Sequence, residues 1–284
     1  MLDKSVIDPV VNAALAEDAP SGDVTSSTVI PAEATATAVL QAREPGVFAG
    51  ATVFEAAFRL TDPDVHVTLL RNDGDRFNKG DDLARVSGNA RAVLTAERIG
   101  LNFAQRMSGI ATLTAEYVAA TEGTKAVILD TRKTTPLLRA FERHAVVCGG
   151  GRNHRFSLSD GFMAKDNHLA VLTAGSKDVT TELQRVKAEL PAGMLFEVEV
   201  DRLDQIEAVI AGGVSVIMLD NFSIDDMRAG VAQVAGRAQI EASGGVNLTT
   251  VREIAQTGVD FISVGALTHS ARALDLGLDV TITA

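Results

Sequence analysis

The sequence predicts an α/β protein: an N-terminal part rich in β-structure, followed by a barrel-like array of parallel strands covered by helices. Three observations carry this. From Lys125 onward, short apolar runs alternate with amphipathic segments, six times over, the pattern of repeated βα units with right-handed crossovers. Nearly every run ends in polar or glycine residues, and active sites of βα barrels are assembled at the C-terminal ends of many strands. An open doubly wound sheet would instead concentrate its site at one switch point. At 284 residues with 46% apolar composition, the chain is also long enough to bury a large core.

Taken in order, the first 25 residues place acids where a secretory or transit peptide needs positive charge and a continuous apolar run, so a cytoplasmic protein is expected. T35-A-T-A-V-L-Q-A-R43 alternates as a strand should, and P45-G46 marks a turn before V47-F-A-G50, together predicting a hairpin. Residues 65–88 repeat that look with turns at D73-G and K79-G. This stretch has the look of the hammerhead hairpins of lipoyl and biotinyl domains. It lacks their exposed acceptor lysine, so a plain structural hairpin is expected. Arg91 to about Ala120 is a long helical pattern broken only by Gly100 and Gly109.

The strands that follow are predicted at 126–130, 162–165, 194–200, 214–219, 238–242 and 259–264, with helices at 176–190, 201–211, 224–235 and 248–256. By count, six or seven βα units suggest a closed barrel. No uncharged stretch reaches the roughly 20 residues of a membrane helix. The single cysteine, Cys148, excludes an internal disulfide and a CxxC metal site, and it reads as a small buried side chain.

Charge singles out one region. Between Asp130 and His168 lie seven Lys and Arg against four Asp and Glu, a surplus of three positive charges inside a chain of net charge −11, which leaves −14 for the remainder. A compact cationic cleft in an acidic body focuses potential onto small anions. It is too compact for a nucleic-acid backbone, and 4% aromatics offer few stacking platforms.

The candidate site residues fall into three groups. Arg132, Lys133, His154, Arg155 and Lys165 offer more donors than one phosphate needs, so a ligand set with carboxylates as well as phosphates is expected. Glu199 and Asp220 end neighbouring predicted strands, where a carboxylate pair suits Mg²⁺, directly or through water, or a cationic sugar transition state. Glu197, on the same face and one layer deeper, is expected to pair with an interior lysine. The glycine loops E241-A-S-G-G-V246 and V264-G-A-L-T-H-S270 let backbone N–H groups approach a phosphate, with Ser243 and His269 as added donors. His144 and His66 read as ordinary surface or helix histidines.

These residues carry a resemblance. E17-D-A-P-S-G-D-V-T25, T95-A-E-R98, D130-T-R-K-T134, G149-G-G-R-N-H-R155, K165-D-N-H168, E197-V-E-V-D201, L219-D-N-F222, S243-G-G245 and V264-G-A-L-T-H-S270 are similar, in order and over essentially the whole chain, to motifs of quinolinate phosphoribosyltransferase. That family is the carboxylating nicotinate-nucleotide pyrophosphorylase of de novo NAD synthesis. The resemblance implies a type II phosphoribosyltransferase fold. It would comprise an N-terminal open-faced α/β sandwich over 1–107, completed by about 271–284, and an incomplete, open α/β barrel over 108–270. It implies a glycosyltransferase (pentosyltransferase) that converts quinolinate and 5-phosphoribosyl-1-pyrophosphate to nicotinate mononucleotide, pyrophosphate and CO₂ with Mg²⁺.

Position by position, the resemblance implies that Arg132, His154, Arg155 and Lys165 bind quinolinate. Arg98 would be supplied across the interface of a homodimer with shared active sites, which a hexamer could extend. Thr131, Lys133, Ser243, Gly244, Gly245, Gly265 and His269 would hold the phosphoribosyl pyrophosphate, and Glu199 and Asp220 the metal. Lys133, Lys165, Glu199 and Asp220 would take the catalytic roles. One departure stands out: the family commonly has glycine where T135-P-L137 has leucine, and Pro136 is expected to open a helix that tolerates Leu137.

Three rivals remain at this point: a molybdenum-transport pyrophosphorylase-like paralogue, a Schiff-base aldolase using Lys133 or Lys165, and a nucleotide-sensing protein on the same fold.

Overall fold

A computed structural model describes residues 2–175 and 178–283, which divide into two compact units. Of the described residues, the first unit comprises 2–115, 134–150 and 267–283, the second 116–133, 151–175 and 178–266.

The first unit begins with helices α1 (Lys4–Asp18) and α2 (Val24–Val29). Asp3 and Asp23 cap them, each side chain accepting a backbone N–H of the first turn, from Ser5 and Ser26. Strand β1 (Thr35–Ala42) follows, then β2 (Gly46–Val47), α3 (Ala51–Thr61), β3 (His66–Leu69), β4 (Arg76–Phe77), β5 (Asp82–Asn89) and the 31-residue helix α4 (Ala90–Ala120).

β1 alternates as its sequence demands, with Ala36, Ala38, Leu40 and Ala42 buried. It does not form the expected hairpin with the segment after Pro45. Both of its edges are already taken, in an antiparallel sheet of order β12-β1-β5-β3, so β2 pairs with β4 instead. The N-terminal part is also more helical than expected, because α3 packs Phe54 and Phe58 into the core beside Leu40, Leu83 and Val86. The last strand, β12 (Leu276–Thr283), pairs with β1 from Thr35↔Thr283 to Ala42↔Leu276.

The second unit is built on β6 (Val127–Leu129), β7 (Gly161–Ala164), β8 (Leu195–Val200), β9 (Val216–Asp220), β10 (Gln239–Ser243) and β11 (Phe261–Ser263). All six predicted strands are present. Helix α5 (Arg139–Cys148), which lies between β6 and β7 in sequence, belongs to the first unit. The connecting helices of the second unit are α6 (Asp166–Leu172), α7 (Val179–Glu189), α8 (Ile206–Ala211) after a 3₁₀ turn, α9 (Ile224–Val234) and α10 (Val251–Gln256). The predicted helix start at 176–177 lies outside the described residues. A four-residue helix, α11 (Ala266–His269), follows β11.

The six strands form one parallel sheet of order β6-β11-β10-β9-β8-β7. Among the described residues β6 and β7 pair with one neighbour each and not with one another, so the barrel is open. This corrects the closed barrel suggested by counting βα units. Counting strands says nothing of whether the two edge strands meet. No described helix is long and apolar enough to cross a membrane.

Candidate active site

At the C-terminal ends of the parallel strands the second unit carries a cavity of about 640 Å³. Its walls bring together Thr131, Arg132, Lys133, His154, Arg155, Lys165, Glu199, Asp220, Ser243, Gly244 and Gly245. Arg98 on α4 and His269 on α11 belong to the first unit, and neither they nor Gly265 are among the lining residues.

The strand register explains the meeting of so many distant residues. β8 and β9 are neighbours with Glu199 opposite Met218, and Asp220 follows two positions on, itself opposite Ser243 of β10. Glu199 and Asp220 are hard oxygen donors on adjacent strands at one mouth, a set that suits Mg²⁺. Glu199 is ion-paired to Lys165, and Asp220 accepts from the Asn221 side chain at 2.7 Å.

Gly244 and Gly245 have φ of +92° and +63°, conformations a side chain resists. A Cβ at Gly244 would lie 2.1 Å from Asn221 Oδ1. The Asn221 N–H donates to Ser243 O at 2.9 Å, so the loops after β9 and β10 are locked to each other.

Below the mouth lies a buried polar layer. Asp130, fully buried, accepts from His154 N and from the Asn153 side chain, both at 2.7 Å. His154 Nδ1 accepts from the Arg155 N–H at 2.7 Å, while Nε2 faces Glu197 Oε2 at 3.1 Å and Glu241 Oε2 at 3.3 Å. Ser263 donates its hydroxyl to Glu241. Glu197 thus faces a histidine and not the interior lysine expected, while Lys165 is engaged with Glu199.

Burial works against charge on the His154 ring and the two carboxylates favour it, and the contact at Nδ1 decides where the ring proton sits. A second ring proton would have to sit on Nδ1, where the Arg155 N–H already points. Two N–H groups cannot face each other across 2.7 Å, so the geometry as it stands places the ring proton on Nε2. Burial above all pushes the Glu197 carboxyl up. The Arg155 guanidinium, lowered by burial and then by the charge of Arg132, donates to Gly161 O at 2.9 Å.

Asp130, Met163, Met218, Asn221, Glu241 and Ser263 also line the cavity, and sequence reasoning assigned them no role. Strand alternation could have found Glu241, two residues before Ser243 on the same face. Outside the cavity, His144 Nε2 lies 2.6 Å from Asp73 Oδ2, a hydrogen-bonded contact its sequence neighbourhood does not reveal. The Cys148 thiol is pushed up to about 12 by burial, in keeping with an inert structural cysteine. Leu137 has φ +67° and is 92% exposed, and α5 starts only at Arg139, so Pro136 does not open the helix.

Residues 23–108 match the family model for the quinolinate phosphoribosyl transferase N-terminal domain, and residues 110–279 that for its C-terminal domain. The chain belongs to the quinolinate phosphoribosyl transferase family. It is 44% identical to a carboxylating nicotinate-nucleotide pyrophosphorylase of Mycobacterium leprae, over 95% of each chain. It is 41% identical to a probable carboxylating nicotinate-nucleotide pyrophosphorylase of Bacillus subtilis, over 96% of this chain and 93% of the relative. The crystal structure of NadC from Streptococcus pyogenes superimposes with a TM-score of 0.94 at 40% identity, covering 100% of this chain and 99% of that one. The open parallel sheet and the antiparallel N-terminal sheet are therefore the architecture of this family.

Proposed function

We propose that the chain transfers the phosphoribosyl group of 5-phosphoribosyl-1-pyrophosphate to quinolinate, yielding nicotinate mononucleotide, pyrophosphate and CO₂ in NAD biosynthesis. The observation that carries this is one cavity joining Arg132, Arg155 and Lys165 to a carboxylate pair and a glycine cradle. A pyridine dicarboxylate needs two cationic clamps, and a phosphosugar needs backbone donors that approach closely. Both are available on one wall of strand ends.

In this reading Arg132, Arg155 and Lys165 hold the quinolinate carboxylates, joined by Arg98 of a second subunit. Thr131, Lys133, Ser243, Gly244, Gly245, Gly265 and His269 hold the pyrophosphate and 5-phosphate. The pyridine nitrogen attacks the anomeric carbon as the C–O bond to pyrophosphate breaks. Glu199 and Asp220 stabilise the positive charge that develops on the sugar. As CO₂ leaves, the electron pair of the broken C–C bond stays on C2, stabilised by the adjacent positive pyridinium nitrogen, and C2 then takes up a proton. Glu199 and Asp220 would also hold Mg²⁺, which when bound supplies charge neutralisation for the departing pyrophosphate. Lys165 would have to exchange Glu199 for substrate as the site fills. His154 fits a supporting role better than direct carboxylate binding, since both ring nitrogens are engaged.

A homodimer with shared sites, open to assembly as a hexamer, and a cytoplasmic location complete the reading. The molybdenum-transport and nucleotide-sensing alternatives gain no support, as the relatives are carboxylating nicotinate-nucleotide pyrophosphorylases by name. An ammonium paired to Glu199 is not a free Schiff-base nucleophile. The test is incubation with quinolinate, phosphoribosyl pyrophosphate and Mg²⁺. Nicotinate mononucleotide and CO₂ are expected in equal amounts, and absence of both under varied conditions would refute the assignment.

A further inference from the structure

Two buried acids, Glu197 beneath the cavity and Glu241 in its lining, have no place in the reaction just described. Glu197 is fully buried and does not line the cavity, so it cannot touch a ligand there. Its carboxyl meets His154 Nε2, 3.1 Å from Oε2. Glu241, also buried, approaches the same nitrogen and is held by Ser263. Placing two carboxyl groups in a dry interior around one imidazole is costly. A single acceptor would satisfy one N–H.

The far side of the ring shows what the arrangement achieves. With Nε2 drawn inward by both acids, Nδ1 faces the chain and accepts the Arg155 N–H. Asp130 grips the preceding peptide N–H, that of His154 itself. Arg155 is thereby fixed at its backbone and directed by Gly161 O at its guanidinium, beside a like charge on Arg132 that would otherwise push it away.

We propose that Glu197 and Glu241 are positioning residues: by orienting the His154 ring they fix the backbone of Arg155 and so aim its guanidinium for a substrate carboxylate. This deepens the function proposed above and rests on it for the identity of the substrate. The two acids act on quinolinate capture and leave the phosphoribosyl side alone.

Glu197→Leu removes the carboxyl at similar volume and leaves Glu241 as the acceptor facing His154 Nε2. The quinolinate KM should rise about tenfold, with kcat and the phosphoribosyl pyrophosphate KM within about twofold of wild type. Glu197→Gln, which keeps an acceptor, should recover most of the loss. Should Glu197→Leu not fold, Ser263→Ala, which frees Glu241, should raise the quinolinate KM in the same selective way. Unchanged KM values, or a parallel rise for both substrates, would overturn the proposal.

A readout free of turnover separates this proposal from the functional reading. Nitrogen-15 shifts of the His154 ring should show a protonated Nε2 and an accepting Nδ1 in the wild type, and Glu197→Leu should disturb that pattern. If the wild type failed to use quinolinate, the functional reading would fall while these shifts still tested the clamp. Ring signals unaffected by the substitution would refute it.

Discussion

Leu137 shows what a single residue can reveal. The backbone at Leu137 is left-handed, φ +67°, a conformation costing an L-residue about 1–2 kcal/mol, which suits the glycine that the resemblance leads one to expect there. The leucine side chain is almost entirely in water, so little burial offsets the strain. Glycine removes the strain but costs about 0.5–1 kcal/mol of extra unfolded-state entropy. Leu137→Gly should therefore stabilise the protein by about 0.5–1 kcal/mol, read as a rise in the denaturant midpoint with unchanged slope. A loss of stability would mean that the exposed leucine is engaged with something outside the single chain. The sequence exposed the departure at 137 but not its meaning. Pro136 beside it read as a helix start, and only backbone geometry shows that the helix begins two residues after Leu137.

Elements reveal where local pattern is sufficient. All six parallel strands were legible because each is a short apolar run ending in polar residues. The helix α3 was not, because the run A51-T-V-F-E-A-A-F58 falls between two predicted hairpins in a part read as β-structure. The partners of β1 were hidden for a different reason: one of them, β12, lies more than 230 residues away.

That long-range pairing is reinforced beside the sheet by Glu44, which binds both Nη atoms of Arg272 at 2.6 Å and the Asp275 N–H at 2.8 Å. The Arg272 hydrogen bonds hold the Glu44 carboxyl down at about 2, against an ordinary 4.5. A depressed carboxylate stabilises the fold above its unfolded pKa, and that contribution fades as pH falls through the folded value. Glu44→Gln should thus melt below wild type at pH 7. The gap should shrink from pH 4.5 downward and vanish near pH 2. A gap independent of pH would contradict the linkage.

The loop after β10 makes a sharper element-scale prediction. Gly244→Ala combines φ +92° with a Cβ 2.1 Å from Asn221 Oδ1, so the cradle must shift. The phosphoribosyl pyrophosphate KM should rise about tenfold or more, since displacements of an ångström at a binding site cost one to two orders of magnitude. The quinolinate KM should hold.

At the scale of the whole molecule, the cationic segment from Asp130 to His168 separates into parts with distinct duties. Arg132, Lys133, Arg155 and Lys165 reach the cavity, whereas Arg143 is buried and Arg139 bonds Thr134, both within the first unit. The anion site was therefore legible as a charge surplus, but its membership was not, because charge counting cannot tell a structural arginine from a ligand-binding one. Nor could it find the buried acids: strand alternation puts Glu197 and Glu241 on inward faces, but only the fold brings both to one histidine.

Arg98 poses the complementary question, since in the proposed function it acts in the site of a second subunit. If so, a dimer of Arg98→Ala and Lys133→Ala subunits concentrates both lesions in one site and leaves the other intact. Random reassortment of equal amounts makes about half of all dimers mixed, each with one working site of two, so about a quarter of wild-type activity should return. The two variants assayed apart should each remain nearly inactive. Failure to recover activity, in a mixture shown by mass to contain mixed dimers, would place Arg98 in its own subunit's site and make the single chain the catalytic unit.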